Sequence, residues 1–106
     1  MKINIQNNQP FKGLNLTKVN PEDIKRVIVP CVKGLERLAK KADITIESTT
    51  ILQKFKNYQT PKSALNISVI PFDTLNAKVA ISNYSMLITN KNIKNHTLVE
   101  LIRESI

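Results

Sequence analysis

The side chains that most often perform catalysis are scarce in this sequence. His96 is its one histidine, Cys31 its one cysteine, and eight carboxylates are scattered among 106 residues. General acid–base catalysis near neutral pH usually needs a histidine or a carboxylate with a shifted pKa, and cysteine catalysis needs an accessible thiolate. His96 stands beside a predicted helix, and Cys31 falls on the apolar side of another. We therefore predict no catalytic residue and no enzyme activity.

Sites for metals and phosphorylated cofactors are equally hard to build from these residues. The sequence has no cysteine–histidine cluster with the spacing of a zinc site. It contains two glycines, Gly13 and Gly34, so a glycine-rich phosphate loop cannot be assembled. We predict no metal and no cofactor, and the sequence identifies no small-molecule substrate.

The positive charge is the most distinctive chemical property of the chain. The net charge is +8 and the pI is about 9.8, which suits nucleic acid, an anionic membrane or an acidic protein as partner. However, thirteen of the sixteen cations are lysine, and the chain also holds twelve asparagines and fourteen isoleucines. An AT-rich genome would produce that bias without selection for binding. We favour this compositional explanation and keep the functional one open.

Two groups of cations are candidate contacts for nucleic acid or for an acidic protein. The first occupies the polar side of a predicted helix, with Glu36 inside the group, and comprises Lys25, Arg26, Lys33, Arg37, Lys40 and Lys41. The second, within "KFKNYQTPK", combines three lysines with two aromatic residues: Lys54, Phe55, Lys56, Tyr58 and Lys62. Because aromatic rings can stack on unpaired bases, the second group is the better candidate for contact with single-stranded nucleic acid. A solvated loop would explain it equally well.

Residues 21–41 carry the pattern of one amphipathic helix. Asn20 suits the N-cap and Pro21 the first helical position. At about 100° per residue, the apolar side chains before and after Pro30 fall on the same arc, and the charged side chains fall opposite. Pro30 lies on the polar side, where water can reach the carbonyl group that loses its partner. We predict one helix bent at Pro30, with a strand over residues 25–29 as the alternative.

Alternation of apolar and polar residues predicts the strands. They cover residues 1–6, 11–17, 43–49, 64–70 and 77–89, the last as one bent strand or two short ones. The first two could pair as a hairpin. We expect the segment 50–62 to extend the third strand and then to form a loop at Pro61, and a polar loop follows residue 89. Thr97 and Glu100 form a capping box that opens a final helix.

This order of elements predicts a two-layer α+β fold, with residues 1–106 as a single domain. The sheet would be mostly antiparallel, with four to six strands, one long helix at about 21–41 and a short C-terminal helix. No apolar run approaches 18 residues, so we predict no membrane span. The single cysteine and the absence of an apolar N-terminal segment predict a cytoplasmic protein.

The segment "NNQPFKG", residues 7–13, resembles the start of small uncharacterised proteins from AT-rich, host-associated bacteria. These proteins often open with an asparagine-rich leader followed by Phe-Lys-Gly. The resemblance covers seven residues, implies a bacterial origin and brings no known activity or site. On this basis Phe11 is expected to anchor the leader and Gly13 to permit a turn.

Taken together, the residues favour a small non-catalytic binding module. Protein–protein interaction, including self-association, is the leading hypothesis, because an exposed strand edge can accept a strand from another chain. The alternative is a basic nucleic-acid-binding domain that uses the polar face of the 21–41 helix and the 54–62 segment.

Overall fold

The computed structural model describes residues 13–72 and 81–106, which form one mixed sheet with helices packed on it. In chain order the elements are β1 (Leu14–Lys18), α1 (residues 21–38), β2 (Ala42–Phe55), β3 (Tyr58–Pro71), β4 (Ser82–Leu87), α2 (Asn90–Lys94) and α3 (Thr97–Glu104). The strands are ordered β1-β2-β3-β4, with β1 and β2 parallel and the other two pairs antiparallel. The predicted α+β fold, with a mostly antiparallel sheet and a long helix, is confirmed.

The strand β1 pairs with β2 in parallel. Leu14 lies opposite Ile44, and the backbone N–H of Ile44 donates to the carbonyl of Gly13 at 2.7 Å. A parallel pair requires the chain to return to the starting end of the sheet, and α1 provides that connection. The hairpin predicted between residues 1–6 and 11–17 lies partly outside the described residues, because residues 1–12 are not among them.

Strands β2 and β3 form a long hairpin of fourteen residues on each side, in register from Ala42 opposite Pro71 to Phe55 opposite Tyr58. The loop predicted at Pro61 is wrong, since Pro61 lies within β3 opposite Leu52. A proline is tolerated there because, in the described structure, β3 is paired on one side alone at this point.

One face of the sheet is buried beneath α1 and α3. The residues that alternate inward along β2 and β3 are almost fully buried, as their pattern predicts: Ile44, Ile46, Leu65, Ile67 and Val69. From α1, Ile28 and Leu35 are fully buried against this face, and Leu98 and Ile102 from α3 complete the core. Burying each such aliphatic side chain contributes about 1.5–3 kcal/mol, so this layer supplies most of the driving force for folding.

The helix α1 passes through Pro30 by changing its hydrogen-bonding pattern. A π-helical turn at Ile24–Ile28 and a 3₁₀ turn at Val29–Cys31 separate the regular α-helical turns. Wider and tighter turns accommodate the proline, which has no N–H to donate. The single helix through Pro30 is thus confirmed, and the alternative strand over residues 25–29 is wrong. The helix ends at residue 38, three residues earlier than predicted, where 3₁₀-type bonds tighten the last turn.

The C-terminal helices begin differently from the prediction. The polar stretch after residue 89 forms α2, whose N-cap is Thr89, with its hydroxyl accepting from the backbone N–H of Asn92 at 3.1 Å. The predicted capping box is wrong, because Thr97 is already the first residue of α3. His96 takes the N-cap position in a left-handed conformation with φ of 49°, and its carbonyl accepts from the N–H of Glu100.

A closed set of hydrogen bonds fastens the start of α1 to β2. The carboxylate of Asp23 is buried and accepts from the hydroxyl of Ser48 at 2.7 Å. The same hydroxyl oxygen accepts from the backbone N–H of Asn20 at 2.9 Å, and the side chain of Asn20 accepts from the N–H of Asp23 at 2.8 Å. The cap of α1 is therefore also a tertiary contact, one residue past the end of the β1–β2 pairing.

We expect Gly13→Ala to lower the free energy of unfolding by more than about 2 kcal/mol, measured by urea denaturation. Gly13 has φ of +98°, and an added Cβ would lie 1.9 Å from the carbonyl oxygen of Ala39. The matched control is Gly34→Ala, whose Cβ would meet methyl groups of Val99 at 3.2 Å in a helix that favours alanine. Its effect should stay within about 1 kcal/mol, and equal losses in the two variants would contradict this account.

We also expect Ser48→Ala to destabilise the fold by about 1–3 kcal/mol, because it leaves the buried Asp23 carboxylate and the N–H of Asn20 without a partner. Ser63, an exposed serine on the opposing strand, provides the control. Chemical denaturation of Ser48→Ala and Ser63→Ala would refute the proposed fastening if the two losses were alike.

Candidate functional site

The distal part of the β2–β3 hairpin extends beyond the other strands. Pairing of β1 with β2 ends at Glu47, and pairing of β4 with β3 reaches Ala64. We call residues 50–62 the β-arm; in the described structure its two strands pair with each other alone. At about 3.4 Å per residue, the six steps from Thr49 to Phe55 carry the tip about 20 Å past the sheet. This extension agrees with a longest molecular dimension of 47 Å.

The two faces of the β-arm carry different side chains, because residues directly opposite each other share a face. The first face holds the cross-strand pairs Phe55 with Tyr58, Gln53 with Thr60, and Ile51 with Lys62. The second face holds Lys54 with Gln59 and Leu52 with Pro61. Both faces are exposed apart from the half-buried Ile51, so the β-arm presents its side chains to solvent.

Two aromatic rings stand side by side at the tip of the β-arm. Phe55 is 70% exposed and Tyr58 is 72% exposed, so neither ring contributes to the core. The turn between them contains Lys56, which adopts φ of 55°, a conformation that costs energy for a residue with a side chain. This turn holds the Lys56 ammonium 5.8 Å from the centre of the Phe55 ring, within the range of a cation–π contact.

The β-arm is uniformly cationic. Lys54, Lys56 and Lys62 lie in it, and the sequence contains no aspartate or glutamate from Ser48 to Phe72. The arm itself therefore carries three positive charges without a compensating carboxylate. All three lysines are exposed, so their ammonium groups can approach an anion without the cost of desolvating a buried charge.

The cations predicted on the helix lie on a separate surface. The structure places Lys25, Arg26, Lys33, Arg37, Lys40 and Lys41 on the exposed side of α1 and of the turn that follows it. The helix α1 covers the buried face of the sheet. The rings of Phe55 and Tyr58 lie on the first face of the β-arm, which continues the opposite face of the sheet. In addition, Lys40 and Lys41 lie just before the first residue of β2, whereas the tip of the β-arm lies at the other end of this strand. The fold does not bring the two predicted groups together.

Nearby carboxylates reduce the positive charge of the helical surface. Arg26 lies 4.0 Å from the carboxylate of Glu22, one turn away, and Glu36 sits half-buried among the other cations. Such exposed pairs contribute little energy, but each carboxylate opposes the approach of an anion. Of the two predicted groups, the β-arm has the more favourable electrostatic environment for an anionic partner.

Two surface depressions bring together residues that the sequence analysis did not connect. One, of about 430 Å³, lies on the open side of the sheet and is lined mainly by small polar side chains, including Thr45, Asn66, Ser68, Asn83 and Ser85. The other, of about 490 Å³, lies between α1 and α3 and is lined by Val29, Pro30, Lys33, His96, Val99 and Arg103 among others. The alternation of polar residues along the strands could have indicated the depression on the sheet. The depression between α1 and α3 depends on how α3 packs, which no local pattern encodes.

The two side chains considered for catalysis, Cys31 and His96, lie in α1 and at the start of α3. The Cys31 thiol is buried and donates to the carbonyl of Val27 at 3.2 Å, and burial raises its pKa to about 11. His96 is exposed at the start of α3. Within residues 13–72 and 81–106, no three side chains of histidine, cysteine, aspartate and glutamate are grouped to hold a metal. No helix in these ranges is long and apolar enough to cross a membrane.

Comparison with protein-family models, with curated proteins and with solved structures found no match for this chain. The resemblance of residues 7–13 to small bacterial proteins stays a prediction. The assignment of function therefore depends on the geometry and charge of the β-arm.

The buried thiol of Cys31 leads to a prediction about pH. At pH 8 we expect the native protein to react with a thiol reagent far more slowly than the unfolded chain, because the thiol is both inaccessible and protonated. Rapid labelling of the native protein would contradict the buried placement of Cys31.

The burial of Cys31 also predicts how stability depends on pH. The folded-state pKa of about 11 exceeds the ordinary value of 9.0, so the unfolded chain holds fewer protons between these values. Stability should then fall as the pH rises from 9 to 11, and it should fall less in Cys31→Ala. Denaturation of both proteins at several pH values would detect this difference in stability.

Proposed function

We propose that this protein is a non-catalytic binding module that presents the β-arm to nucleic acid. One observation supports the proposal above all: a two-stranded ribbon outside the core carries three lysines and two exposed aromatic rings, with no carboxylate among them. Lysines supply the attraction to phosphate that dominates nucleic-acid affinity, and aromatic rings supply surfaces for bases.

The position of the β-arm supports a role in binding rather than in folding. An isolated two-stranded hairpin is only marginally stable in water. Among the described residues, no second layer packs on the β-arm. Phe55 and Tyr58 are among the most exposed large side chains of the described residues, although each could bury a large apolar area elsewhere. Exposed aromatic rings at the end of a projecting element are typical of contact surfaces.

Charge also separates the candidate partners of the β-arm. Two copies of the chain that met tip to tip would bring six lysines together without a carboxylate, which like-charge repulsion opposes. An anionic partner would instead be attracted from a distance. Association of identical arms is therefore less favourable than binding of a polyanion.

A second candidate function is protein–protein interaction through the edges of the β-arm. The described arm strands have one partner each, so their outer backbone groups can accept a strand from another protein. Leu52, 62% exposed on the second face, would add an apolar contact. This mode depends on backbone hydrogen bonds and is less sensitive to salt than contact with phosphates.

Charge neutralisation in the β-arm provides the test of nucleic-acid binding. We expect the variant with Lys54→Gln, Lys56→Gln and Lys62→Gln to lose affinity for a fluorescently labelled oligonucleotide, measured by anisotropy. Three phosphate contacts on a single strand predict a slope of about −2 in the logarithm of affinity against the logarithm of salt concentration. The variant should show a slope near zero.

The matched control removes three charges from the helical surface through Lys33→Gln, Arg37→Gln and Lys40→Gln. Both variants have a net charge of +5, which is +8 less 3, so a nonspecific effect of charge would weaken them equally. Retention of affinity by the helical variant alone supports the proposal. Equal losses would contradict the assignment to the β-arm, and absence of binding by the unaltered protein would refute the function.

A further inference from the structure

We infer that the β-arm selects single-stranded over duplex nucleic acid, with Phe55 and Tyr58 stacking on unpaired bases. This inference rests on the proposed function and names the form of its partner. The observation behind it is the cross-strand position of the two rings, which are opposite each other on one face and about 70% exposed.

The geometry of a paired position sets the spacing of the rings. Directly opposite residues in an antiparallel pair have Cβ atoms about 4.5–5.5 Å apart, so the two side chains form a small continuous aromatic surface. The backbone of the hairpin fixes the origin of both side chains, and each ring has two rotatable side-chain bonds to order on binding. A pair of neighbouring rings matches the unstacked bases of a flexible strand, whereas the bases of a duplex expose their faces only at its ends.

Two of the three arm lysines, Lys56 and Lys62, lie beside or on the face that carries the aromatic rings. Lys56 occupies the turn beside Phe55, and Lys62 lies on the aromatic face about 13 Å farther down the β-arm, at four residues from Tyr58. Gln53 and Thr60 fill the row between them with hydrogen-bonding groups. The first face thus offers base contacts at the tip, polar contacts behind them and cations on both sides.

The same face also limits the extent of the site. Glu47 lies on this face at the base of the arm, eight residues before Phe55, and would repel a phosphate backbone even though Lys18 approaches it at 3.6 Å. The anionic strand is therefore confined to the β-arm and its footprint is short. Three lysines give a duplex a weak electrostatic contact, so stacking is the contribution that separates the two forms.

The experiment compares a labelled oligothymidylate with a blunt-ended duplex of equal length, by anisotropy in the same low-salt buffer. We expect the unaltered protein to bind the single strand more tightly. The variant Phe55→Leu with Tyr58→Leu should lose about 5- to 150-fold in single-strand affinity for each stacked base, with the salt slope and duplex affinity unchanged. Because both rings are exposed, its unfolding transition should match that of the unaltered protein.

Leu52→Ala is the matched control, since Leu52 is 62% exposed and lies on the opposite face of the same arm. We expect it to bind the single strand as tightly as the unaltered protein. Tyrosine fluorescence gives a second reading, because the sequence has no tryptophan and two tyrosines. In a Tyr84→Phe background, stacking should quench the emission of Tyr58 as the oligonucleotide is added.

The outcomes separate this inference from the function on which it rests. Equal or tighter duplex binding, or an unchanged affinity of the double leucine variant, overturns the selection of single strands but leaves the lysine-dependent binding intact. No affinity for either oligonucleotide refutes the proposed function itself. Equal binding of polyglutamate and oligothymidylate overturns base stacking and favours an acidic protein as partner.

Discussion

Burial of one face of the β2–β3 hairpin under the helices is the constraint on which the rest of the structure depends. Ile44, Ile46 and Ile67 can leave water only if an apolar helix lies across them, and α1 provides it with Ile28 and Leu35. The apolar side chains before and after Pro30 must therefore lie on the same side of α1. The π and 3₁₀ turns keep them there, because they change the hydrogen bonds around Pro30 instead of ending the helix. Val29, at 46% exposure, is directed away from the core by the same phase.

The β-arm follows from where this burial ends. The helix α1 begins directly after its N-cap Asn20 and is fastened through Asp23 to Ser48, so beyond that row none of the described helices lies over the hairpin. The hydrogen bonds of the ladder nevertheless continue to Phe55, and the side chains become polar or exposed. A firmly held base and a solvent-exposed end make the hairpin suitable for presenting side chains to a partner.

Composition and placement answer different questions about the positive charge. A lysine-rich chain from an AT-rich genome would carry a high net charge without any binding role, and the cations of α1 fit that explanation, since solvated helix faces commonly carry such residues. The β-arm adds two features that composition does not predict. Its cations share a projecting element with an exposed aromatic pair, and no carboxylate accompanies them. These features support the arm as a contact surface.

The sequence by itself determined the local features of this protein. Helical phase placed Cys31 inside and Pro30 outside, and alternation identified the inner faces of β2 and β3, because both patterns repeat within a few residues. Tertiary structure alone decided the parallel pairing of β1 with β2, the strand through Pro61 and the separation of the lysines on α1 from those on the β-arm. The physical reason is that these features arise from pairing between residues far apart in the chain. Such pairing leaves no periodic signal in either segment.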